Sequence, residues 1–225
     1  PTLFLEKEGW RRALKSALTS PPLGRVLRTP TGMERFAPRD SATGGTGASR
    51  ALGIAVHAVL ERIDLATRRD LGVLCEEEAT AAGHPELTGD VRQLVSRALD
   101  SDIIKEALAS PRCFREIPFA AAGDTYLVEG RIDLVFESGQ GLTIVDFKTD
   151  RVETDVDIAA RVRLYRPQGL VYARALSEIA GLPARAVVFH FIRPGQSRTL
   201  KVDEGFLAEG RRLLETGSMM PGASE

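Results

Sequence analysis

Two short segments hold the residues best suited to chemistry. They are Val128-Glu129-Gly130-Arg131-Ile132-Asp133-Leu134-Val135 and, past a glycine turn, Leu142-Thr143-Ile144-Val145-Asp146-Phe147-Lys148-Thr149. Asp133 stands among apolar neighbours, while Asp146 and Lys148, two residues apart, project from one face of an extended strand. Burying carboxylates beside a lysine is costly without compensation. A divalent cation would compensate the carboxylates and a phosphate the lysine, which is the layout of a metal-dependent phosphodiesterase. Structural ion pairing among Arg131, Asp133, Asp146 and Lys148 is the alternative these residues leave open.

The elements that must position them follow from periodicity. The two segments read as a hairpin closed by glycines at 139 and 141, with Arg115-Glu116-Ile117-Pro118-Phe119 leading into it. Upstream, the spacing predicts helices over about 51–65, 74–82, 89–99 and 102–109. Downstream, an acidic connection leads to a helix over about 158–180 that Gly181 caps and that Pro167 either kinks or divides. A buried strand at 186–192 and an amphipathic helix over about 203–215 complete the pattern. Residues 3–19 have helical spacing and end at Pro21-Pro22. The Pro-, Gly-, Ser- and Thr-rich stretch that follows reads as linker, and Thr43–Arg50 only superficially resembles a phosphate loop. The expected organisation is an N-terminal helix and flexible linker over 1–50 and one α/β domain over 51–225.

Bulk properties narrow the class. With 43% hydrophobic and 27% charged residues among 225, the composition is that of a soluble globular domain. No apolar run approaches the ~18 residues of a membrane span, and the N-terminus has neither an initiator Met nor a signal-peptide profile. An excised fragment acting in the cytoplasm is the expectation. A formal net charge of -1 is unusual for a chain that must hold a polyanion unaided. Two cysteines, Cys75 and Cys113, in a chain without a secretory signal read as free, partly buried thiols rather than a disulfide framework, and they are too few for a four-cysteine iron–sulfur cluster.

Five segments, in order, resemble the nuclease domain of the PD-(D/E)XK superfamily in its RecB/AddA-type branch. These are Gly53-Ile-Ala-Val-His57, Arg115-Glu-Ile-Pro-Phe119, Gly130-Arg-Ile-Asp133, Val145-Asp-Phe-Lys148 and Tyr165-Arg-Pro-Gln-Gly-Leu-Val-Tyr172. The resemblance implies a central mixed β-sheet flanked by helices on both sides. It further implies that His57, Asp133, Asp146 and the Phe147 carbonyl hold one or two Mg²⁺ or Mn²⁺ ions. Lys148 would then stabilise charge on the phosphate, with Glu116 and Gln168 as further active-site residues. Tyr165 and Tyr172 share the Gln168 side of a helix, and they join Arg161, Arg163 and Arg166 as expected DNA contacts.

The implied activity is hydrolysis of DNA phosphodiester bonds in double-strand-break processing, at the bacterial nucleoid. The implied partners are single strands delivered by a linked helicase motor and a possible second helicase–nuclease subunit, without a membrane. Relatives with a cysteine-ligated iron–sulfur cluster fit less well, because this chain lacks the ligands. A stand-alone nuclease and a DNA-binding module with decayed catalysis are the alternatives, and the complete set of His57, Asp133, Asp146 and Lys148 argues against decay.

Overall fold

A computed structural model describes residues 26–28, 47–122, 126–139, 141–180 and 182–216. The helix expected over 3–19, most of the linker with its glycine-rich stretch, and the Gly181 cap lie outside the described residues. In chain order the elements are β1 (Val26–Arg28), α1 (Gly47–Arg62), α2 (Leu71–Ala81), α3 (Thr88–Asp100), α4 (Asp102–Ala109), β2 (Cys113–Ala122), β3 (Tyr126–Ser138), β4 (Gly141–Lys148), α5 (Asp155–Ile179), β5 (Ala184–Phe191), β6 (Gln196–Lys201) and α6 (Glu204–Thr216). A 3₁₀ turn, Pro85–Leu87, joins α2 to α3.

The strands form one mixed sheet in the order β1-β3-β4-β5-β6, with β2 paired to the other edge of β3. β2, β3 and β4 run antiparallel in sequence. β5 lies parallel to β4, as a connection through a long helix requires, and β6 returns antiparallel to β5. Two of these strands go beyond the sequence pattern. β1 falls within the expected linker and pairs in parallel with Tyr126–Val128; at three residues it is too short for periodicity to register. β6 is exposed at alternate positions and polar in sequence, as suits a sheet edge.

Helices cover both faces. On one, α1 buries Leu52, Ala55, Val56 and Val59, and α3 buries Val91, Leu94, Val95 and Ala98. These i, i+3, i+4, i+7 stripes rest on Leu134, Phe136, Val145, Phe147 and Val188 of the sheet. On the other face, Leu170, Val171 and Leu176 of α5 and Phe206 and Leu213 of α6 pack on Leu142, Ile144, Val187, Phe189 and Phe191. Each fully buried aromatic there contributes about 1.5–3 kcal/mol.

α5 begins with a capping box in which Thr154 accepts from the Asp157 N–H and Asp157 accepts from the Thr154 N–H. Pro167 stays inside this one helix instead of dividing it. Gly169, two residues on, lets the helix approach β5 closely: a Cβ there would lie 3.2 Å from Val187 and 3.3 Å from Phe189. Close packing on the sheet holds the helix where Pro167 removes one of its hydrogen bonds.

Alternation breaks at one level of the sheet. In β3, Ile132 faces the α5 side but Leu134 faces the α1 side. In β2, Phe114 and Ile117 both belong to the α5 side, so the inversion there falls between them. Arg115 and Ile117 pair with Leu134 and Ile132, which places Glu116 opposite Asp133 at the inversion. Glu116 has φ +51°, a left-handed conformation that a residue with a side chain rarely adopts.

Candidate active site

The site forms where the C-terminal half of β4 passes between α1 and α5. Because β4 alternates regularly, Asp146 and Lys148 continue the row of Leu142 and Ile144 toward α5, while Phe147 continues the row of Val145 toward α1. On the α5 side, Lys148 Nζ lies 2.7 Å from Asp146 Oδ2 and donates to Gln168 Oε1 at 2.7 Å. The same ammonium sits 3.8 Å from the centroid of the Tyr165 ring, a cation–π contact. Gln168 Nε2 donates to the Tyr172 hydroxyl at 2.7 Å, and that hydroxyl donates to the Arg131 carbonyl at 3.2 Å. Gln168 is therefore oriented, with its oxygen committed to the lysine.

On the α1 side, His57 Nδ1 lies 3.3 Å from Asp133 Oδ1, and the Phe147 N–H donates to Asp133 Oδ2 at 2.7 Å. Gly53, one turn before His57, makes the approach possible, since a Cβ there would lie 3.2 Å from Thr149 Oγ1. Arg115 anchors β2 to the end of this helix by donating to the Leu60 and Ile63 carbonyls. The pleat inversion turns Glu116 toward the same region, where Arg131 bridges it at 3.5 Å to Glu61 at 3.1 Å.

Electrostatics follow from burial. Desolvation alone would lower the His57 pKa, but the Asp133 carboxylate outweighs it, with help from Asp146, and raises it to about 9. Burial would raise Asp133; its partners His57 and the Phe147 N–H hold it below the usual range instead. Asp146 is raised, chiefly by burial and with Asp133 adding, while Lys148 opposes. Glu116 is pushed up to about 7 by burial and by the like charges of Asp133 and Glu61. At neutral pH a protonated His57 thus faces the Asp133 carboxylate.

This donor set suits a hard divalent cation, being two carboxylates and one imidazole. Among the described residues no donor reaches the buried Asp146 Oδ2 in hydrogen-bond geometry, so it retains acceptor capacity. A cavity of about 10 Å³, the scale of one water-sized sphere, is bounded by His57, Glu116, Asp133 and Phe147, with Asp146 outside its lining. Among the described residues no three His, Cys, Asp or Glu side chains already surround one point. The His57–Asp133 contact fills that role, and a cation entering there would displace the His57 proton.

Of the expected site residues, His57, Glu116, Asp133, Asp146, Phe147, Lys148, Tyr165, Gln168 and Tyr172 come together. Most of the residues expected to contact DNA have partners within the protein. Tyr165 and Tyr172 are buried, at 8% and 3% exposed, and their hydroxyls bond within the protein, so they support Lys148 and Gln168 rather than presenting a surface to a strand. Arg166 is held by both carboxylate oxygens of Glu209 and stacks on Phe206, which ties α5 to α6. Arg161 lies 3.4 Å from Asp150, and Arg163 is exposed. Asp150 is a site residue that sequence reasoning misses, yet it accepts from the Tyr165 hydroxyl at 2.8 and 2.9 Å. Its signal is only a second acidic residue two positions after Lys148.

Comparison with known proteins agrees with this fold. The family model for the PD-(D/E)XK nuclease superfamily matches residues 25–216. The chain is 30% identical over 179 residues to the A subunit of an ATP-dependent helicase/nuclease from Bacillus cereus, and 28% identical over 179 residues to that of Bacillus anthracis. In each case the match covers 68% of this chain and 14% of the relative, so the chain corresponds to a small part of those proteins. A crystal structure of a candidate exonuclease from Eubacterium rectale shares the fold, with a TM-score of 0.51 and 14% identity over 94% of this chain and 82% of that one. No helix among the described residues is long and apolar enough to cross a membrane. With its motifs gathered at one end of a mixed sheet and that family match spanning most of its length, the chain belongs to the PD-(D/E)XK nuclease superfamily.

Proposed function

We propose that this chain is a divalent-metal-dependent deoxyribonuclease that hydrolyses phosphodiester bonds, the nuclease part of a RecB/AddA-like helicase–nuclease acting in double-strand-break end processing. The observation that carries the reading is the placement of Lys148. Asp146 and Gln168 each occupy one direction of its ammonium, the Tyr165 ring lies against it, and it remains 12% exposed. An ammonium has three donors, and Gln168 accepts one of them, which leaves donor capacity for a phosphate oxygen as charge develops there.

His57, Asp133, Asp146 and the Phe147 carbonyl would hold Mg²⁺ or Mn²⁺, one ion or two. When bound, the cation would lower the pKa of the attacking water and offset charge on the leaving oxygen. Glu116, with a pKa near neutrality, can take up or return a proton beside them. Similarity to helicase/nuclease proteins supports single-stranded DNA delivered by a linked motor in the bacterial cytoplasm, and a second helicase–nuclease chain is a further partner. The near-zero net charge agrees with a motor that supplies most DNA affinity.

The test is digestion of plasmid and single-stranded DNA with Mg²⁺, Mn²⁺ or EDTA, comparing the wild type with Asp146→Ala and Lys148→Ala. Cleavage that needs metal and is lost in both variants is expected. Binding without cleavage under any metal would favour a decayed DNA-binding module, and an Asp146→Ala variant as active as wild type would refute the site.

A further inference from the structure

Beside β4, Arg97 and Arg193 are joined by a main-chain contact, and Arg151 adds a third positive charge nearby. Lys148 ends β4, and the next residue, Thr149, offers its carbonyl to Arg193 Nε at 2.9 Å. The Arg193 carbonyl in turn accepts from Arg97 Nη1 at 2.9 Å. The β5–β6 turn that carries Arg193 is itself fixed to the catalytic strand, since the Ile192 N–H donates to the Lys148 carbonyl at 2.9 Å. Arg151 follows two residues after Thr149 and is exposed.

The backbone contacts orient Arg97 and Arg193 but neutralise none of their charge. Among the described residues, Arg97, Arg151 and Arg193 form no ion pair, whereas Arg62, Arg68, Arg112, Arg166, Arg174 and Arg198 all do. Arg193 feels the crowding: burial lowers its pKa first, Arg151 and Arg97 lower it further, and Asp90 and Asp150 act in the opposite sense. Arg97 and Arg193 also stand at one end of an open groove of about 920 Å³. Farther along it, two of the acidic lining residues are already neutralised, Asp100 by Arg68 and Asp102 by Lys105, while Glu106 has no such partner among the described residues. The anion-attracting part is the stretch at Arg97 and Arg193, whose turn is bonded to the Lys148 and Thr149 carbonyls.

We propose that Arg97, Arg151 and Arg193 form a binding site for backbone phosphates of the DNA strand, flanking the bond that Lys148 addresses. Arg97 and Arg193, each anchored through one nitrogen, lose little further freedom on meeting a phosphate, and the phosphate relieves their repulsion with Arg151. The site rests on the nuclease reading for its substrate and replaces the surface expected on α5 with one on α3, the end of β4 and the β5–β6 turn.

The test separates strand binding from bond cleavage. Affinity of the whole 225-residue chain for a labelled oligothymidylate is measured by anisotropy in EDTA across a salt series from about 50 to about 200 mM, for the wild type and for Arg97→Gln/Arg151→Gln. Arg193 is left in place because it holds Thr149. Two lost phosphate contacts should make the log–log salt slope shallower by about 1.4. Metal-dependent hydrolysis of bis(p-nitrophenyl) phosphate, which has no flanking phosphates, should stay within about twofold of wild type while KM for the oligonucleotide rises. An unchanged salt slope, or a wild type that binds no DNA, overturns the site. So does equal loss on the small substrate, which would mean that the centre itself had been disturbed. If neither protein cleaves any phosphodiester but the slopes differ as expected, the phosphate site stands and the nuclease reading fails.

Discussion

Replacing Tyr165 in two ways should separate what its ring does from what its hydroxyl does. The ring lies 3.8 Å from Lys148 Nζ, an ammonium whose side chain is only 12% exposed, so the contact belongs near the upper end of the cation–π range, about 2 kcal/mol. If that support holds the ammonium against the transition state, its loss in Tyr165→Leu lowers kcat by up to about 30-fold, at about 1.36 kcal/mol per factor of ten. KM should hardly change, because Lys148 is placed for the reacting phosphate and not for the rest of the strand. Tyr165→Phe keeps the ring and removes the hydroxyl that meets both oxygens of Asp150 at 2.8 and 2.9 Å. Hydrogen bonds to charged groups contribute about 1.5–3 kcal/mol, and Asp150 keeps Arg161 at 3.4 Å. With that second partner retained, this variant should lose about 1–2 kcal/mol of stability and little rate. Steady-state cleavage and urea melts of both variants give the comparison. Equal loss of kcat in the two would show that the ring does not support Lys148.

Three further outcomes follow. Lys148→Met leaves Asp146, 3% exposed, without its cation; in EDTA this should cost about 3–5 kcal/mol in a urea melt, and millimolar Mg²⁺ should restore part of it. His190 is 2% exposed with Nε2 unpartnered, and burial lowers its pKa from 6.5 to about 4. Between those values the unfolded chain binds the extra proton, so stability should fall as pH drops from 6.5, by about 3 kcal/mol at pH 4; His190→Leu should abolish that component in melts compared at about pH 7 and about pH 4. Arg166→Gln should lower Tm by loosening α5 from α6 yet leave the salt dependence of DNA binding unchanged, and a shallower slope would return Arg166 to the DNA surface.

Much of this architecture is legible in the chain. The helices over 51–65 and 89–99 announce themselves because each has one apolar face of clear period, and β3 and β4 because they are apolar runs separated by a glycine turn. Asp146 and Lys148 are equally legible, since β4 alternates without fault. The partners of the α5 arginines are not legible, because sequence proximity to Gln168 says nothing about which acids approach from elsewhere: Glu209, which holds Arg166, is 43 residues away. Tyr165 and Tyr172 share the helix side of Gln168 as expected, but only the packed structure shows that this side is closed by Lys148, Asp150 and the Arg131 carbonyl. The cluster at Arg97, Arg151 and Arg193 joins three separate stretches of chain, and no local pattern reports it.

The inversion shared by Glu116 and Asp133 makes this fold unusually intolerant of changes in length. In an ordinary hairpin a one-residue insertion can slide to a loop, at the cost of turning one strand over. Here both strands reverse their faces at a common level, and the residues at that level are the carboxylates that meet His57 and Arg131. An insertion or deletion between Cys113 and Glu116, or between Asp133 and Ser138, would separate the two reversals and send one carboxylate to the wrong side of the sheet. Substitutions at neighbouring core positions leave the count intact. Variation in this hairpin is therefore constrained more tightly by the number of residues than by their kind.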